Sequence, residues 1–210
     1  MTAPVVTISA PYGTGGPIIG RMAAERLDLP FLDRAIPVAV AQTLAVSIDD
    51  AEAHDERAET RVGRMLAALA AAGIGSPTPA PGVPAHAFRD QTAQVIVTAA
   101  QSTGCVVLGR AGVMVLAGDP VALHVRLNGA RDRRIAQAVA LSTEQDDEVT
   151  VRKLVDDTDR NRKAYFRHFY NVDADDSSLY HLAIDSTVLD FDTCVEIITT
   201  ATRARAGSKG

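Results

Sequence analysis

The chain has 210 residues, of which 47% are hydrophobic and 22% charged, with a formal net charge of -5. That is the size and polarity of one globular domain, not of a disordered chain. The acidic balance argues against a surface that neutralises a long nucleic-acid backbone, and with no Trp and 4% aromatic residues the chain offers few platforms for stacking bases or sugars.

In chain order, Val5–Ser9 is a β-branched run bounded by Ala-Pro-Tyr-Gly-Thr-Gly-Gly-Pro, which predicts a buried strand followed by a tight loop. After Pro17 the period changes: Ile18, Ile19, Met22, Ala23 and Leu27 make one helical face, and Pro17 suits a first helical turn. Leu29–Asp33 predicts a short second strand ending on a carboxylate. Residues 35–70 predict helix, and the Pro- and Gly-rich stretch 73–85 predicts a mobile loop within the domain. Helical spacing returns from Phe88 to Ala99, and Gly104 ends it. Cys105–Leu108 predicts a buried strand delivering Gly109 and Arg110, and Val121–Leu127 another strand. Arg131–Leu141 and Val149–Tyr170 predict helices, Leu182–Ile184 a last strand and Phe191–Thr202 a closing helix, with a frayed tail over 204–210.

Strands alternating with helices imply right-handed crossovers and an α/β fold of three layers, a mostly parallel core sheet flanked by helices. The first residues form no signal-peptide pattern, and no apolar run approaches the ~20 residues of a spanning helix. Cys105 and Cys194 predict two separate buried thiols in a reducing compartment. The expectation is a soluble cytoplasmic protein without a membrane partner.

Ligands of such sheets bind at the carboxyl ends of the strands. There the chain places Tyr12-Gly13-Thr14-Gly15-Gly16, Asp33, Gly109-Arg110 and Asn128–Arg134. Glycines between a strand and a helix N-terminus let backbone N–H groups converge on an anion, and phosphate is the obvious guest. A side chain at Gly15 or Gly16 would intrude on that approach. The loop departs from G-x-x-x-x-G-K-[ST]: in the best register Gly16 stands for the lysine and Pro17 for the hydroxyl. Asp159 and Arg162 are spaced i, i+3 and predict a carboxylate that fixes an arginine fork, the alternative being a solvated helix face. Arg131, Arg133 and Arg134 open a helix against its macrodipole, which favours an anion nearby.

Val5–Leu32, Cys105–Arg110, Arg131–Arg134, Asp156–Arg162 and Leu182–Leu189 follow one another in the order seen in cytidylate kinases. The chain resembles the branch called cytidylate kinase-like, whose loop reads Gly-Ser/Thr-Gly-Gly, here Gly13–Gly16. The resemblance implies a P-loop nucleoside monophosphate kinase fold over residues 1–203. It implies a monophosphate-binding helical insert at about 35–100 and a lid-like region at about 129–165. It further implies that Tyr12, Gly13, Thr14, Gly15 and Gly16 cradle the phosphates of ATP. Asp33, Arg110, Asp159 and Arg162 would hold the acceptor, a monophosphate such as CMP, and Arg131 and Arg134 would act catalytically from the lid. Mg²⁺ would be held mainly through phosphates, with no side-chain ligand. Four departures stand out: Ala111 replaces an aspartate, Val155 and Thr158 replace arginines, and Pro17 replaces an arginine. Two functions follow as expectations: γ-phosphoryl transfer from ATP to a nucleoside monophosphate, or a pseudokinase that binds a nucleotide and acts through a protein or ribonucleoprotein partner. A homodimer is compatible with either.

Overall fold

The computed structural model describes residues 3–33, 85–142 and 147–207. The sheet consists of β1 (Val5–Ser9), β2 (Phe31–Leu32), β3 (Cys105–Leu108), β4 (Ala122–Asn128) and β5 (Leu182–Asp185). Its order is β2-β3-β1-β4-β5, and every pairing is parallel, Val6 lying beside Val106 on one side and Leu123 on the other. The carboxyl ends Ser9, Leu32, Leu108, Asn128 and Asp185 therefore share one edge.

Both faces of the sheet are covered, as parallel sheets require. On one face Val6, Ile8, Val106, Leu108 and Val125 pack with Ile19 and Ala23 of α1 (Gly16–Leu27) and Cys194, Val195 and Ile198 of α6 (Phe191–Gly207). On the other, Val5, Cys105, Val107 and Ala122 meet Ile96 and Ala100 of α2 (Ala85–Ser102) and Leu116, just past the short α3 (Gly112–Val115). Alternate residues of one strand thus feed opposite cores. The remaining helices, α4 (Arg131–Leu141) and α5 (Glu148–Tyr170), join through Ile135, Ala138, Val151 and Val155. A single 3-10 turn, Ser177–Leu179, precedes β5.

The expected elements in the described residues form with shifts of up to three residues, the largest in the helix expected from Phe88 to Ala99, which runs Ala85–Ser102, and two further differences carry physics. The strand expected at Leu29–Asp33 is reduced to Phe31–Leu32. The tail expected from Ala204 is helical to Gly207: Ala204 and Arg205 are strong helix formers, and Arg203 donates to the carbonyl of Arg26 at 3.1 Å. The helix expected over 35–70, most of the insert at 35–100, and residues 73–84 of the Pro- and Gly-rich stretch lie outside the described residues, as do 143–146 of the lid-like region. Both cysteines are buried free thiols, and burial pushes Cys105 up to about 11. No described helix is long and apolar enough to cross a membrane.

A polar cluster joins His124 and Thr7, inside the sheet, to His181, exposed just before β5. His124 is 4% exposed, its Nδ1 is 2.9 Å from Thr7 Oγ1, and its ring stacks on His181 with centroids 4.8 Å apart. The His124 backbone N–H donates to His181 Nδ1 at 3.0 Å. Burial first, then the neighbouring His181 and Arg205, lower His124 from the ordinary 6.5 to about 4, and burial lowers His181 as well. Neutral imidazoles stabilise the fold above pH 6.5, and that contribution is lost as pH falls toward 4. The urea midpoint should therefore drop between pH 6.5 and 4. His124→Gln should flatten the drop; an unchanged slope would remove His124 as its cause.

Candidate functional site

The loop after β1 is held by its carbonyls. Arg134 Nη1 donates to Tyr12 O at 2.9 Å, Gln137 Nε2 to Gly13 O at 3.0 Å and Ser186 Oγ to Thr14 O at 2.8 Å. In a planar trans peptide the following N–H points the opposite way, so these bonds turn the N–H groups of Gly13 and Gly15 away from their donors. Among the described residues no backbone carbonyl accepts from the N–H of Gly13, Gly15 or Gly16. Thr14 faces inward, its hydroxyl donating to Pro11 O at 2.8 Å. Gly13 and Gly15 have φ of 84° and 70°, a region that favours glycine. The loop therefore presents N–H groups at the start of α1, a geometry suited to an anion.

The glycines are also required for another reason than the sequence suggests. A Cβ on Gly13 would lie 2.2 Å from the carbonyl oxygen of Arg134, one on Gly15 2.5 Å from the Phe191 ring, and one on Gly16 2.5 Å from the Ala10 Cβ. Side chains at these positions would strike the protein itself, before any ligand.

Arg134 is 6% exposed. Besides Tyr12 O it donates to Gly129 O at 3.2 Å, and its fork meets Asp159 at 3.2 and 2.6 Å. The expected Asp159–Arg162 pair does not form. Packing of α4 on α5 offers Asp159 a buried two-pronged partner, and such a fork outweighs the few tenths of a kcal/mol of a local helix pair. Arg131 takes Asp156 with two bonds of 2.7 Å. Arg133 reaches Asp185 at 2.6 Å and Thr187 at 3.0 Å. Arg131 and Arg134, expected to face donor phosphates, thus each hold a carboxylate.

Arg162 instead meets Asp175 at 2.6 Å and Ser9 Oγ at 3.1 Å. Arg126, from inside β4, meets the same Asp175 oxygen at 2.7 Å, and Lys163 meets the other at 2.7 Å. Burial, then repulsion by Arg126, holds the Arg162 guanidinium below the usual arginine range, against the attraction of Asp175. Burial by itself would raise the Asp175 carboxyl, but the Lys163 hydrogen bond and the charges of Arg162 and Arg126 outweigh it and hold it at about 2.

Arg110 follows β3 within three consecutive left-handed residues, Gly109, Arg110 and Ala111, with φ of 70°, 54° and 48°. Non-glycine residues in this region cost about 1–3 kcal/mol each and gather at functional sites. Ala111, where the resemblance leads one to expect an aspartate, is 2% exposed and packs with Val113, Tyr165 and Phe166. Asp33 stands exposed just past β2 on the same sheet edge.

A model of the cytidylate kinase-like family matches residues 5–188. The chain belongs to the cytidylate kinase-like family. A crystal structure of an uncharacterised protein from Eubacterium ventriosum ATCC 27560 matches with a TM-score of 0.66 at 18% identity, covering 96% of this chain and 98% of that one. A gluconokinase from Sinorhizobium meliloti 1021 matches at 11% identity and a TM-score of 0.48, over 99% of this chain and 95% of its own. A shikimate kinase from Bacteroides thetaiotaomicron matches at 12% and 0.48, over 95% and 98%. No curated protein matches. Family and sheet order together place the chain among proteins of the P-loop, nucleotide-kinase-like α/β fold.

Pro17 offers no hydroxyl where the G-x-x-x-x-G-K-[ST] pattern has one, and among the described residues no group of three His, Cys, Asp or Glu could hold a metal ion. The structure also brings in residues that sequence reasoning passed over: Arg126, Asp175, Gln137 and Ser186. One signal pointed to Arg126, since an arginine inside a strand reading Ala-Leu-His-Val-Arg-Leu-Asn needs a buried partner.

Arg134→Ala should lower the unfolding free energy in urea by about 1.5–3 kcal/mol, the worth of a charged hydrogen bond, because it also strands Asp159. Arg131→Ala, at the exposed pair, should leave the midpoint nearly unchanged. Equal effects of the two would refute the strut assigned to Arg134.

Proposed function

We propose that the chain transfers the γ-phosphoryl group of ATP to a nucleoside monophosphate such as CMP. The observation that supports this most is the adjacency of two features: a glycine loop whose carbonyls are pinned away, and an excess of buried cations beginning at Ser9, the last residue of β1. The loop's N–H groups would orient the donor phosphates. Arg162 and Arg110 would orient the acceptor, with Asp33 at the same edge. Positioning and charge stabilisation supply most of the rate in such transfers. Any Mg²⁺ would arrive on the nucleotide's own phosphates.

The locked state of Arg131 and Arg134 favours a second reading, a pseudokinase that binds a nucleotide and signals through a partner. Each guanidinium already holds a carboxylate, and the loop carries Gly16 where a lysine would neutralise the donor. The expected locations, a reducing cytoplasm and a dimer or monomer within it, belong equally to both readings.

A coupled ADP-release assay across the common monophosphates, beside ATP calorimetry, separates them. CMP-dependent release is expected, roughly 10²–10³ slower than in lysine-bearing kinases, the cost of one lost preorganised charge contact. Arg162→Ala should weaken CMP binding roughly 10- to 150-fold with ATP binding little changed. ATP binding without release for any monophosphate would favour the pseudokinase, and absence of ATP binding would overturn both.

A further inference from the structure

Three cations converge on one carboxylate beside the loop. Arg162 Nη2 and Arg126 Nη2 lie 2.6 and 2.7 Å from Asp175 Oδ1, and Lys163 Nζ lies 2.7 Å from Oδ2. The two arginine side chains are 11% exposed, Asp175 36% and Lys163 55%. Two buried guanidiniums against one carboxylate leave one positive charge in excess where water screens it least, and Lys163 adds a third cation from the solvent side.

The surroundings do not remove that excess. Arg126 Nη1 donates to Ala174 O at 2.9 Å and its Nε to Asn128 at 2.8 Å, both neutral acceptors. Arg162 Nη1 reaches only the hydroxyl of Ser9 and, at 3.5 Å, Ala174 O. Its Nε is buried and has no hydrogen-bond partner among the described residues. Tyr180 completes the rim, its hydroxyl donating to Ala174 O at 2.8 Å and standing 3.3 Å from Ser9 Oγ. Asp175 sits at the mouth, on the segment between α5 and β5.

We propose that Arg126, Arg162 and Lys163 form an oxyanion site, filled by the Asp175 carboxylate until a phosphate-sized dianion displaces it. A phosphate monoester carries nearly two negative charges at pH 7 and accepts from guanidinium forks and ammonium groups at the distances the carboxylate does. It neutralises the excess that one carboxylate leaves. Asp175 is then a built-in competitor that offsets part of the repulsion while no ligand is bound, and the ligand must exceed a carboxylate in charge to enter. This selects phosphorylated over unphosphorylated acceptors. That the dianion is the acceptor's phosphate rests on the phosphotransferase reading above; the site itself does not.

The test is calorimetric titration with sodium phosphate at pH 7, ionic strength held constant with sodium chloride. Asp175→Asn keeps the volume and removes the competing charge. Folded by circular dichroism, it should bind phosphate roughly 10- to 150-fold tighter than wild type, the worth of a charge-assisted contact, and adding Arg126→Gln should abolish the gain. Equal or weaker binding by folded Asp175→Asn overturns the site. If that variant does not fold, Arg126→Gln in the otherwise unaltered chain decides: a phosphate affinity at least about 10-fold weaker than wild type supports the site, and an unchanged affinity overturns it. CMP should compete with phosphate and cytidine should not. Phosphate binding that CMP does not displace keeps the site but overturns its assignment to the acceptor, independently of whether ADP release is seen.

Discussion

Arg134 is the joint on which the loop, helices α4 and α5 and the chain leaving β4 all rest. It leaves α4, forks onto Asp159 of α5, and spends its remaining donors on the carbonyls of Gly129 and Tyr12. Its own carbonyl meanwhile forms the wall against which Gly13 packs. A buried guanidinium is tolerated only when its donors are satisfied, and here satisfying them sets the peptide orientation of the loop. Gln137, one turn further along the same helix, repeats the device on Gly13. The shape of the loop therefore depends on the packing of α4 against α5, and movement of these helices is felt at the strand edge.

The proposed phosphate loop has no lysine. Positive charge stands instead at Arg126, Arg162 and Lys163, beyond Ser9, balanced in part by Asp175. Where the resemblance to cytidylate kinases leads one to expect a carboxylate after β3, the chain has Ala111 inside an apolar cluster with Tyr165 and Phe166. The site is thus rich in cations. It favours a ligand that brings its own counter-charge.

The strands and their order of use were legible because buried parallel strands appear as short apolar runs, and because the residues after each run are confined to one edge. Val5–Ser9, Cys105–Leu108 and the glycines after β1 needed no tertiary information. The pairing of charges did need it. Asp159 and Arg162 have the spacing of partners on one helix, yet Asp159 bonds Arg134 and Arg162 bonds Asp175, because the helix–helix contact and the segment before β5 offer shorter and better shielded partners. Asp175 itself carried no signal in a stretch with several acidic residues, and Arg126 carried only the oddity of a charge in an apolar strand. The helical tail was missed because, beside the helix propensity of Ala204 and Arg205, it rests on a contact of Arg203 with the Arg26 carbonyl of α1, far away in sequence.

The backbone at Gly109, Arg110 and Ala111 turns left-handed for three residues running. Left- and right-handed basins are separate wells with crowded ground between them. A residue there does not drift in small increments as its surroundings change; it stays or it flips. The backbone at Arg110 thus fixes the direction in which its Cα–Cβ bond leaves the strand end, and the side-chain torsions alone remain to place the guanidinium. A change of hand at this turn would redirect that bond as a whole, whereas Arg162 takes its direction from the regular helix α5.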